Sequence, residues 1–370
     1  MSGLYVHVPF CRKACVYCDF HFSTSLGTRD RVLGAMQREL RERMREAEGP
    51  FGTVYFGGGT PSLLEAKELQ ALLDAARQHG VAPAAEVTLE ANPDDISPER
   101  LAEWKALGIT RISLGTQSFR DDRLKWMGRA HDAQQALRSI DLIAKAGFTS
   151  WTIDLIYGLP GMTHAEWDEQ LTIALDHGMP HLSAYCLTIE ERTALHKQVA
   201  KGLVHPAHDE EQAAQFEHLI TRMDAAGLEQ YEISNFGRPG HFAQHNSNYW
   251  KGVPYIGIGP SAHSFNGTER RWNVANNLRY ADAVERNEPY GEHELLTPTQ
   301  RVNERLLTGL RTKWGVDLRT LGTELSPAQQ AMVQRYMRTG DLEQLDMRLV
   351  LTRKGRNFAD RIASDLFHTE

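Results

Sequence analysis

Near its start the chain reads Leu4-Tyr5-Val6-His7-Val8-Pro9-Phe10-Cys11-Arg12-Lys13-Ala14-Cys15-Val16-Tyr17-Cys18. A short apolar run, suited to a buried strand, is followed at once by three cysteines in the spacing C-x3-C-x2-C. Three thiolates on one loop can hold three corners of an iron–sulfur cubane, although most clusters take four cysteines. The spacing therefore predicts a metal site at Cys11, Cys15 and Cys18 whose fourth iron is left for a ligand from outside the protein.

Three alternatives compete with the cluster. A disulfide set is disfavoured, because four cysteines in 370 residues are sparse and the chain shows no secretory signal. Zinc with His7 or His21 as fourth ligand is the strongest alternative, although zinc sites usually use paired C-x2-C or H-x3-H units. Inert buried thiols do not normally cluster in this way. The cluster is favoured, and zinc is left open.

Size and composition are those of an ordinary globular chain. Its 370 residues can hold one large and one smaller domain, with 41% hydrophobic and 24% charged residues. No apolar run approaches the ~18–20 residues of a membrane span. An iron–sulfur loop without export signals predicts a reducing compartment, the cytoplasm. The net charge of −7 disfavours nucleic acid as a general partner.

From Leu4 to about residue 235, short β-rich runs alternate with longer helical patterns. The predicted strands are Leu4–Val8, Thr53–Phe56, Glu86–Leu89, Arg111–Leu114, Ser150–Ile156 and His181–Leu187. The predicted helices are Arg29–Glu48, Leu64–His79, Pro98–Leu107, Ala133–Ala146, Ala165–His177 and Asp209–Ala226. Strands and helices of these lengths in alternation predict an α/β fold with a parallel sheet, open or closed into a barrel.

Unusual segments follow successive predicted strands. The cysteine loop follows the first strand, and Gly57-Gly58-Gly59-Thr60-Pro61 follows the second. Glu90-Ala91-Asn92-Pro93 follows the third, Gly115-Thr116-Gln117-Ser118-Phe119 follows the fourth, and Asp154 lies in the fifth. Because α/β barrels build their sites at the carboxyl ends of strands, we expect these segments to converge on one ligand.

Each residue in these segments has a structural explanation beside the functional one. Three consecutive glycines allow a backbone to approach a ligand closely, or form only a flexible turn. Glu90 ends an apolar strand, where an unpaired carboxylate is costly unless it caps the following turn. Gln117 and Asp154 would suit the two hydroxyls of a ribose. Composition alone makes Arg129 a surface cation and Tyr5 a core aromatic.

In combination the motifs resemble the radical S-adenosylmethionine (SAM) superfamily, in which SAM chelates the open iron of a three-cysteine [4Fe-4S] cluster. Tyr5–Cys11, Tyr55–Pro61 and Asp154–Pro160 further resemble its oxygen-independent coproporphyrinogen III oxidase branch. The resemblance implies a partial (β/α)6-type TIM barrel with parallel strands. It also implies a set of cofactor-binding residues, namely Tyr5, Tyr17, Gly58, Gly59, Thr60, Glu90, Gln117, Arg129 and Asp154.

Two features separate members of that branch. The oxidases resemble C-x3-C-x2-C-x-C, whereas this chain has Phe20 at the last position, and its short start predicts that their amino-terminal extension is absent. The stretch from Gln244 to Trp250 is similar to the H-N-x-x-Y-W motif of the heme chaperone family HemW. This resemblance implies that His245 contacts heme. Chemistry alone favours the alternative, a structural loop with a hydrogen-bonded His245.

The carboxyl-terminal part has a different pattern. Helical stretches near Gln300–Lys313, Asp317–Leu321 and Pro327–Thr339 precede a hairpin at Leu342–Leu351 and a final helix to Leu366. This order predicts a small α+β, winged-helix-like domain. Its 12 basic and 9 acidic residues from 301 to 370 are too nearly balanced to indicate DNA binding. We therefore expect a barrel (1–235), a connecting segment with the heme motif (236–290) and a HemN-type domain (291–370).

The resemblance implies a heme chaperone that carries a [4Fe-4S] cluster with SAM. It would pass heme to apo-hemoproteins such as membrane-bound respiratory enzymes. The alternative is an oxygen-independent coproporphyrinogen III oxidase, so enzymatic activity is left open, with the chaperone favoured. A radical SAM protein that modifies RNA is disfavoured by charge. No transmembrane segment is expected, and a homodimer is one alternative for the oligomeric state.

Overall fold

A sheet of twelve strands dominates the computed structural model, which describes residues 1–368. The first elements are β1 (Ser2–Val8), α1 (Arg29–Arg43), β2 (Phe51–Gly58), α2 (Ala66–His79), β3 (Val81–Ala91), α3 (Pro98–Ala106), β4 (Arg111–Gln117), α4 (Asp121–Met127), α5 (Ala133–Ala146), β5 (Ser150–Tyr157), α6 (His164–Asp176) and β6 (His181–Cys186). The next are α7 (Ala194–Ala200), α8 (Asp209–Ala225), β7 (Glu229–Glu232), β8 (Asn235–Gly237), α9 (Gln244–Trp250), β9 (Tyr255–Ile258), β10 (His263–Phe265), β11 (Glu269–Asn273), α10 (Asn277–Arg286) and β12 (Gly291–Leu295).

The strand order is β12-β11-β10-β9-β1-β2-β3-β4-β5-β6-β8-β7. The strands from β9 through β6 in that order pair in parallel, and the strands outside them pair antiparallel. Helices connect β1 to β6 in the manner of a barrel, but the order is linear, so the sheet does not close on itself. The predicted α/β fold with a partial parallel barrel is confirmed.

The core lies between the sheet and its helices. In α1, Val32, Met36 and Leu40 recur every four residues and are fully buried, as one apolar stripe on a helix predicts. Trp104 of α3 and Trp167 of α6 are also fully buried. The short helices α4 and α7 lie in segments for which no helix was predicted. Within residues 1–368, none of the helices combines the length and apolar character needed to cross a bilayer.

A buried carboxylate links α1 to the strands that follow α9. Glu39 accepts hydrogen bonds from Tyr280 Oη (2.6 Å), Asn273 Nδ2 (2.8 Å) and the Gly259 backbone N–H (2.8 Å). Arg43, one turn further along α1, donates to the Gly257 carbonyl at 2.8 Å. Because both side chains are buried, these bonds fix β9, β10 and β11 against the barrel.

The carboxyl-terminal part has a second core, formed by residues from Val302 to Leu366. It consists of α11 (Pro298–Leu310), β13 (Val316–Asp317), α12 (Pro327–Thr339), β14 (Leu342–Leu345), β15 (Arg348–Leu351) and α13 (Ala359–Asp365). The sheet order β13-β15-β14 matches the expected hairpin with one added strand. The helical stretch predicted at Asp317–Leu321 is a short 3-10 helix (Leu318–Thr320) that follows β13.

The three-part division of the chain stays a prediction. Residues 236–290, expected as a connecting segment, supply β9, β10 and β11 to the large sheet. The strand β12 belongs to the same sheet, although it begins at Gly291. The second core therefore starts several residues after the predicted boundary.

Candidate cofactor and ligand sites

Two cavities share a wall near the carboxyl ends of the parallel strands. The small cavity has a volume of about 430 Å³ and the large cavity about 1380 Å³. Asp19, Phe20, Glu90 and Tyr185 line both of them. We call these four residues the shared wall.

The small cavity collects most of the residues that the sequence singled out. Its lining includes Cys11, Cys15, Tyr17, Cys18, Gly58, Gly59, Thr60, Glu90, Gln117, Arg129 and Asp154. These residues come from the ends of β1 to β5 and the loops after them. The expected convergence of strand ends on one pocket is therefore observed. Two predicted residues, Tyr5 and His245, do not line this cavity.

The cysteines of the loop are free and half-buried. Thr60 Oγ1 donates to Cys11 Sγ at 3.4 Å, and Arg129 Nη1 donates to Cys15 Sγ at 3.5 Å. Burial raises the pKa of Cys11 and raises that of Cys18 to about 12. The thiols of Cys11 and Cys18 therefore keep their protons at neutral pH, and a metal bound there would have to displace those protons.

Arg129 tests whether the small cavity fits a charged cofactor. Its Nη2 donates to Asn92 Oδ1 (2.6 Å) and to the Gly115 carbonyl (2.8 Å). Its Nε is buried and has no partner among residues 1–368. A buried donor without a partner, next to a cysteine sulfur, fits a site that an anionic group completes. Within the same residues, no three histidine, cysteine or acidic groups converge on a point that would hold a single metal ion, so cluster ligation stays a prediction.

The glycine loop has a packing requirement beside the expected approach of a ligand, which stays a prediction. A Cβ on Gly57 would meet the Tyr55 ring, and one on Gly58 would meet the His7 ring at 2.7 Å. A Cβ on Gly59 would meet the Phe10 carbonyl oxygen at 2.7 Å. Packing against β1 and the residues after it therefore requires these glycines. Gly58 and Gly59 line the cavity, but protein atoms, not a ligand, exclude their side chains.

Backbone strain marks the end of β4. Gln117 has φ of 66°, in the left-handed region that non-glycine residues rarely adopt. Such strain persists where the surrounding structure imposes it, and it concentrates at binding sites. Here it turns the chain so that Gln117 lines the small cavity.

Two carboxyl groups in the small cavity titrate closer to neutral pH than exposed carboxyls do. Burial raises the pKa of Glu90 to about 7 and that of Asp154 to about 6. Tyr55 Oη donates to Glu90 Oε1 at 2.7 Å, and Ser113 Oγ lies 3.4 Å from Asp154 Oδ2. A carboxyl that titrates near neutrality can both donate to and accept from a hydroxyl, as a ribose requires.

Tyr5 lies in the large cavity, on the other side of Gly57. Its hydroxyl is 3.1 Å from His7 Nδ1, and its ring stacks on Tyr55 with centroids 6.1 Å apart. The predicted contact of Tyr5 with SAM stays a prediction.

His245 is buried behind both cavities and lines neither. Its Nδ1 is 2.8 Å from Thr53 Oγ1 and its Nε2 is 2.8 Å from Tyr249 Oη. Burial lowers its pKa to about 3. Contact with a heme iron would break one of these two bonds, so the arrangement matches the structural alternative considered for the motif. Its partner Tyr249 does line the large cavity.

One side of the large cavity is aromatic. Tyr249 of α9 packs edge-on against Tyr255 of β9, with ring centroids 4.6 Å apart. Phe265 of β10 pairs with Tyr255 across the sheet, with ring centroids 6.5 Å apart. We call Tyr249, Tyr255 and Phe265 the aromatic face.

The other side is a basic helix surface. Arg301, Arg305 and Thr308 lie on one face of α11 and line the cavity; we call them the basic face. Arg305 donates to the Thr320 carbonyl, which leaves its charge uncompensated. Within residues 1–368 the Arg301 side chain forms no hydrogen bond or ion pair, and only its backbone N–H donates, to the Thr297 carbonyl. Glu304 of the same helix pairs with Arg270 of β11 at 2.8 Å and so ties the basic face to the sheet.

Sequence reasoning missed the basic face. The available signal was two arginines four residues apart, which share one side of a helix. An isolated pair of this kind is far more often a solvated surface, and nothing local indicates that α11 packs over strands formed 30 or more residues earlier.

Comparisons with known proteins agree with the geometry. The sequence matches the Radical SAM superfamily over residues 5–172 and the HemN C-terminal domain over residues 296–358. Heme chaperone HemW of Mycobacterium tuberculosis (strain H37Rv) is 38% identical, over 98% of this chain and 94% of that protein. Heme chaperone HemW of Bacillus subtilis is 32% identical, over 98% of each. Coproporphyrinogen III oxidase HemN of Escherichia coli has a similar fold, with a TM-score of 0.86 at 21% identity over 99% of this chain and 89% of that one.

Proposed function

We propose that this chain, which belongs to the HemW family within the radical SAM superfamily, binds heme in the large cavity and passes it to apo-hemoproteins. The observation that carries the proposal is the large cavity itself, which the aromatic face and the basic face both line. A heme has flat apolar surfaces, which the aromatic face would contact, and two anionic propionates, which the arginines of the basic face would bind.

The size of the cavity supports a ligand of this kind. Drug-sized ligands occupy pockets of about 300–1,000 Å³, and the large cavity reaches about 1380 Å³. A tetrapyrrole between Tyr255 and α11 would bury much apolar area against aromatic rings. Arg301 and Arg305 would each form charge-assisted hydrogen bonds to a propionate, which are stronger than neutral ones.

In the small cavity we propose a [4Fe-4S] cluster held by Cys11, Cys15 and Cys18, with SAM beside it. When bound, these cofactors supply one-electron and radical chemistry. Arg129, with its unpaired Nε, would balance negative charge at the cluster and the carboxylate end of SAM. Glu90, Gln117 and Asp154 would hold the polar groups of the nucleoside. These assignments rest on the family resemblance and on the shared lining of one cavity.

The shared wall supports one alternative, oxidative decarboxylation of coproporphyrinogen III. That substrate is also a tetrapyrrole with carboxylate side chains, and it would suit the same two faces. Only a few side chains separate the two cavities, as a radical enzyme would require. Phe20, in place of the additional cysteine of the oxidase pattern, favours the chaperone.

The experiment that separates these functions uses the anaerobically reconstituted full chain. It is incubated with coproporphyrinogen III and SAM, and separately with heme followed by apomyoglobin. We expect no protoporphyrinogen from the first mixture and holo-myoglobin from the second, faster than from free heme at the same concentration. Robust decarboxylation would establish the oxidase instead, and absence of heme binding would remove the chaperone.

The acceptors and location follow from the resemblance alone. We propose that the acceptors are apo-hemoproteins, including respiratory enzymes at the membrane, and that transfer starts in the cytoplasm. A homodimer is part of the same proposal. Each is tested by pull-down of heme-loaded protein with candidate acceptors and by light scattering.

A further inference from the structure

Three histidines line the large cavity, and their ring nitrogens differ in availability. His7 uses both, since Nδ1 is 3.1 Å from Tyr5 Oη and Nε2 is 2.9 Å from the His21 carbonyl. His21 uses Nε2, which is 2.8 Å from Asn277 Oδ1. The side chain of His263 is exposed and neither of its ring nitrogens has a hydrogen bond within residues 1–368.

The position of His263 on β10 directs it to the aromatic face. Side chains two residues apart on a strand project to the same side, so His263 and Phe265 share that side and both line the cavity. Ser264 between them points the other way: it accepts from Arg43 Nη2 at 3.1 Å and from the Gly257 backbone N–H at 2.9 Å. A Cβ on Gly257 would overlap the His263 carbonyl oxygen, so β9 and β10 lock this orientation.

The surroundings of His263 suit a ligand that acts through a lone pair. Its ring is stacked near Trp272, its partner across β10 and β11, with centroids 6.4 Å apart and planes 29° apart. Although the residue is exposed overall, partial burial of its ring and the nearby cation of Arg270 both lower the pKa of His263. His7 is the other titratable group nearby, and burial also lowers its pKa, to about 4. The His263 imidazole is therefore neutral at pH 7, with one nitrogen free to coordinate.

We propose that His263 is the protein ligand of the heme iron, an inference that rests on the proposed heme-binding function. The iron would lie at the His263 side of the aromatic face, while the propionates extend toward Arg301 and Arg305. His245 is then a positioning residue, which holds Tyr249 in the aromatic face from behind the cavity wall.

Heme titration of four proteins tests this assignment: the reconstituted wild type, His263→Ala, His21→Ala and His245→Ala. Absorbance and electron paramagnetic resonance of the ferric complex report the iron ligand. We expect His263→Ala alone to lose the nitrogen-ligand spectrum and to regain it when imidazole is added. Removing only a residue that hydrogen-bonds to a metal ligand costs about 10–100-fold in metal affinity. Since His263 would be the ligand itself, we expect His263→Ala to weaken heme binding at least about tenfold.

The other outcomes are distinct. A wild-type spectrum in His263→Ala, or loss of the nitrogen ligand in His21→Ala instead, overturns the assignment but leaves heme binding intact. If the wild type binds no heme, the proposed function fails and the assignment with it. Because His263 is exposed on a short strand, the Ala variant is expected to fold, and an unchanged circular dichroism spectrum with unchanged cluster content verifies this.

Discussion

The two cavities differ in how the chain builds them. The small cavity takes its wall mostly from loops that follow β1 to β5, each one strand further along the sheet. The large cavity joins side chains near the amino terminus, such as Tyr5, to α11 and to Arg348. Order along the chain therefore locates the first site, whereas only tertiary packing locates the second.

The cavities also differ in charge. In the small cavity, burial raises the pKa of Cys18 and of Glu90, and the buried guanidinium of Arg129 also lines it. The large cavity presents arginines on α11 whose charges are not neutralised by acids, opposite aromatic rings. A small polar cofactor suits the first environment, and a large flat anion suits the second. The shared wall brings the two within a few side chains of each other.

The largest expected effect is the loss of the metal cluster from the small cavity, with the large cavity left unchanged. Replacing Cys11, Cys15 and Cys18 together by serine should abolish iron and sulfide incorporation, because all three predicted ligands are removed. Metal analysis and the visible absorbance of reconstituted protein measure this. Cys186→Ser, which changes a cysteine that lines the same cavity from β6, is the matched control and should keep full iron content. Undiminished iron in the triple variant would contradict the cluster.

The next largest effect is a loss of heme affinity in the large cavity, with the small cavity left unchanged. Arg301→Ala with Arg305→Ala should weaken heme binding at least about a hundredfold, since each of the two charged hydrogen bonds contributes about 1.5–3 kcal/mol. Heme titration of the double variant measures the dissociation constant. Arg335→Ala on the exposed side of α12 removes a comparable charge away from the cavity and should bind like the wild type. Equal affinity for all three proteins would exclude α11 from the heme site.

A third variant tests whether His245 supports the fold from outside the cavity lining. His245→Ala leaves a void and deprives Thr53 and Tyr249 of their partner, so we expect the free energy of unfolding to fall by about 2–5 kcal/mol. Urea denaturation monitored by circular dichroism measures this. The exposed His205 gives the control His205→Ala, with no loss expected. Stability equal to the wild type, together with lost heme ligation, would return His245 to the iron.

The smallest effect concerns the shared wall. Burial, with Asp154 adding to it, raises the pKa of Glu90 to about 7, whereas an unfolded glutamate releases its proton near pH ~4.3. In that window the folded state binds more protons, so the contribution of Glu90 to stability falls as the pH rises. Glu90→Gln removes this slope. The difference in unfolding free energy, variant minus wild type, should therefore rise between about pH 4.3 and 7.

Buried histidines that stay neutral, such as His7, have the opposite effect, because they make the folded protein less stable as the pH falls below about 6.5. This effect is the same in both proteins, so it cancels when the wild-type value is subtracted. The exposed Glu48 supplies the control, since Glu48→Gln should leave a flat difference. A flat difference for Glu90→Gln as well would mean that this carboxyl titrates as it does in water.

Much of the barrel could be predicted from the sequence because its signals are local. Apolar runs gave β1 to β6, and the helix from Ala133 to Ala146 was predicted to the residue, with Asp132 capping its start. The small-cavity residues followed from one rule about strand ends. The close packing of Gly58 and Gly59 could not be predicted in this way, because the atoms that exclude their side chains lie on β1 and just after it, about 50 residues earlier.

The large cavity escaped prediction for a physical reason. The aromatic motif at α9 contributes Tyr249 to the lining of the large cavity, whereas His245 of the same motif is buried and does not line it. Whether His245 faces a ligand or the core depends on how α9 packs against β2. The spacing of apolar residues in the sequence does not predict that packing. His263 and the arginines of α11 have no distinguishing pattern until the sheet and the carboxyl-terminal domain come together.

Blocking the large cavity tests the central claim most directly. Thr308 lies in the basic face, and Thr308→Trp would fill the space between α11 and the aromatic face. We predict that heme titration of Thr308→Trp shows no binding, while its iron and sulfide content and its SAM binding match those of the wild type. The exposed control Thr323→Trp should bind heme with wild-type affinity. Undiminished heme affinity in Thr308→Trp would place the heme elsewhere and contradict the account.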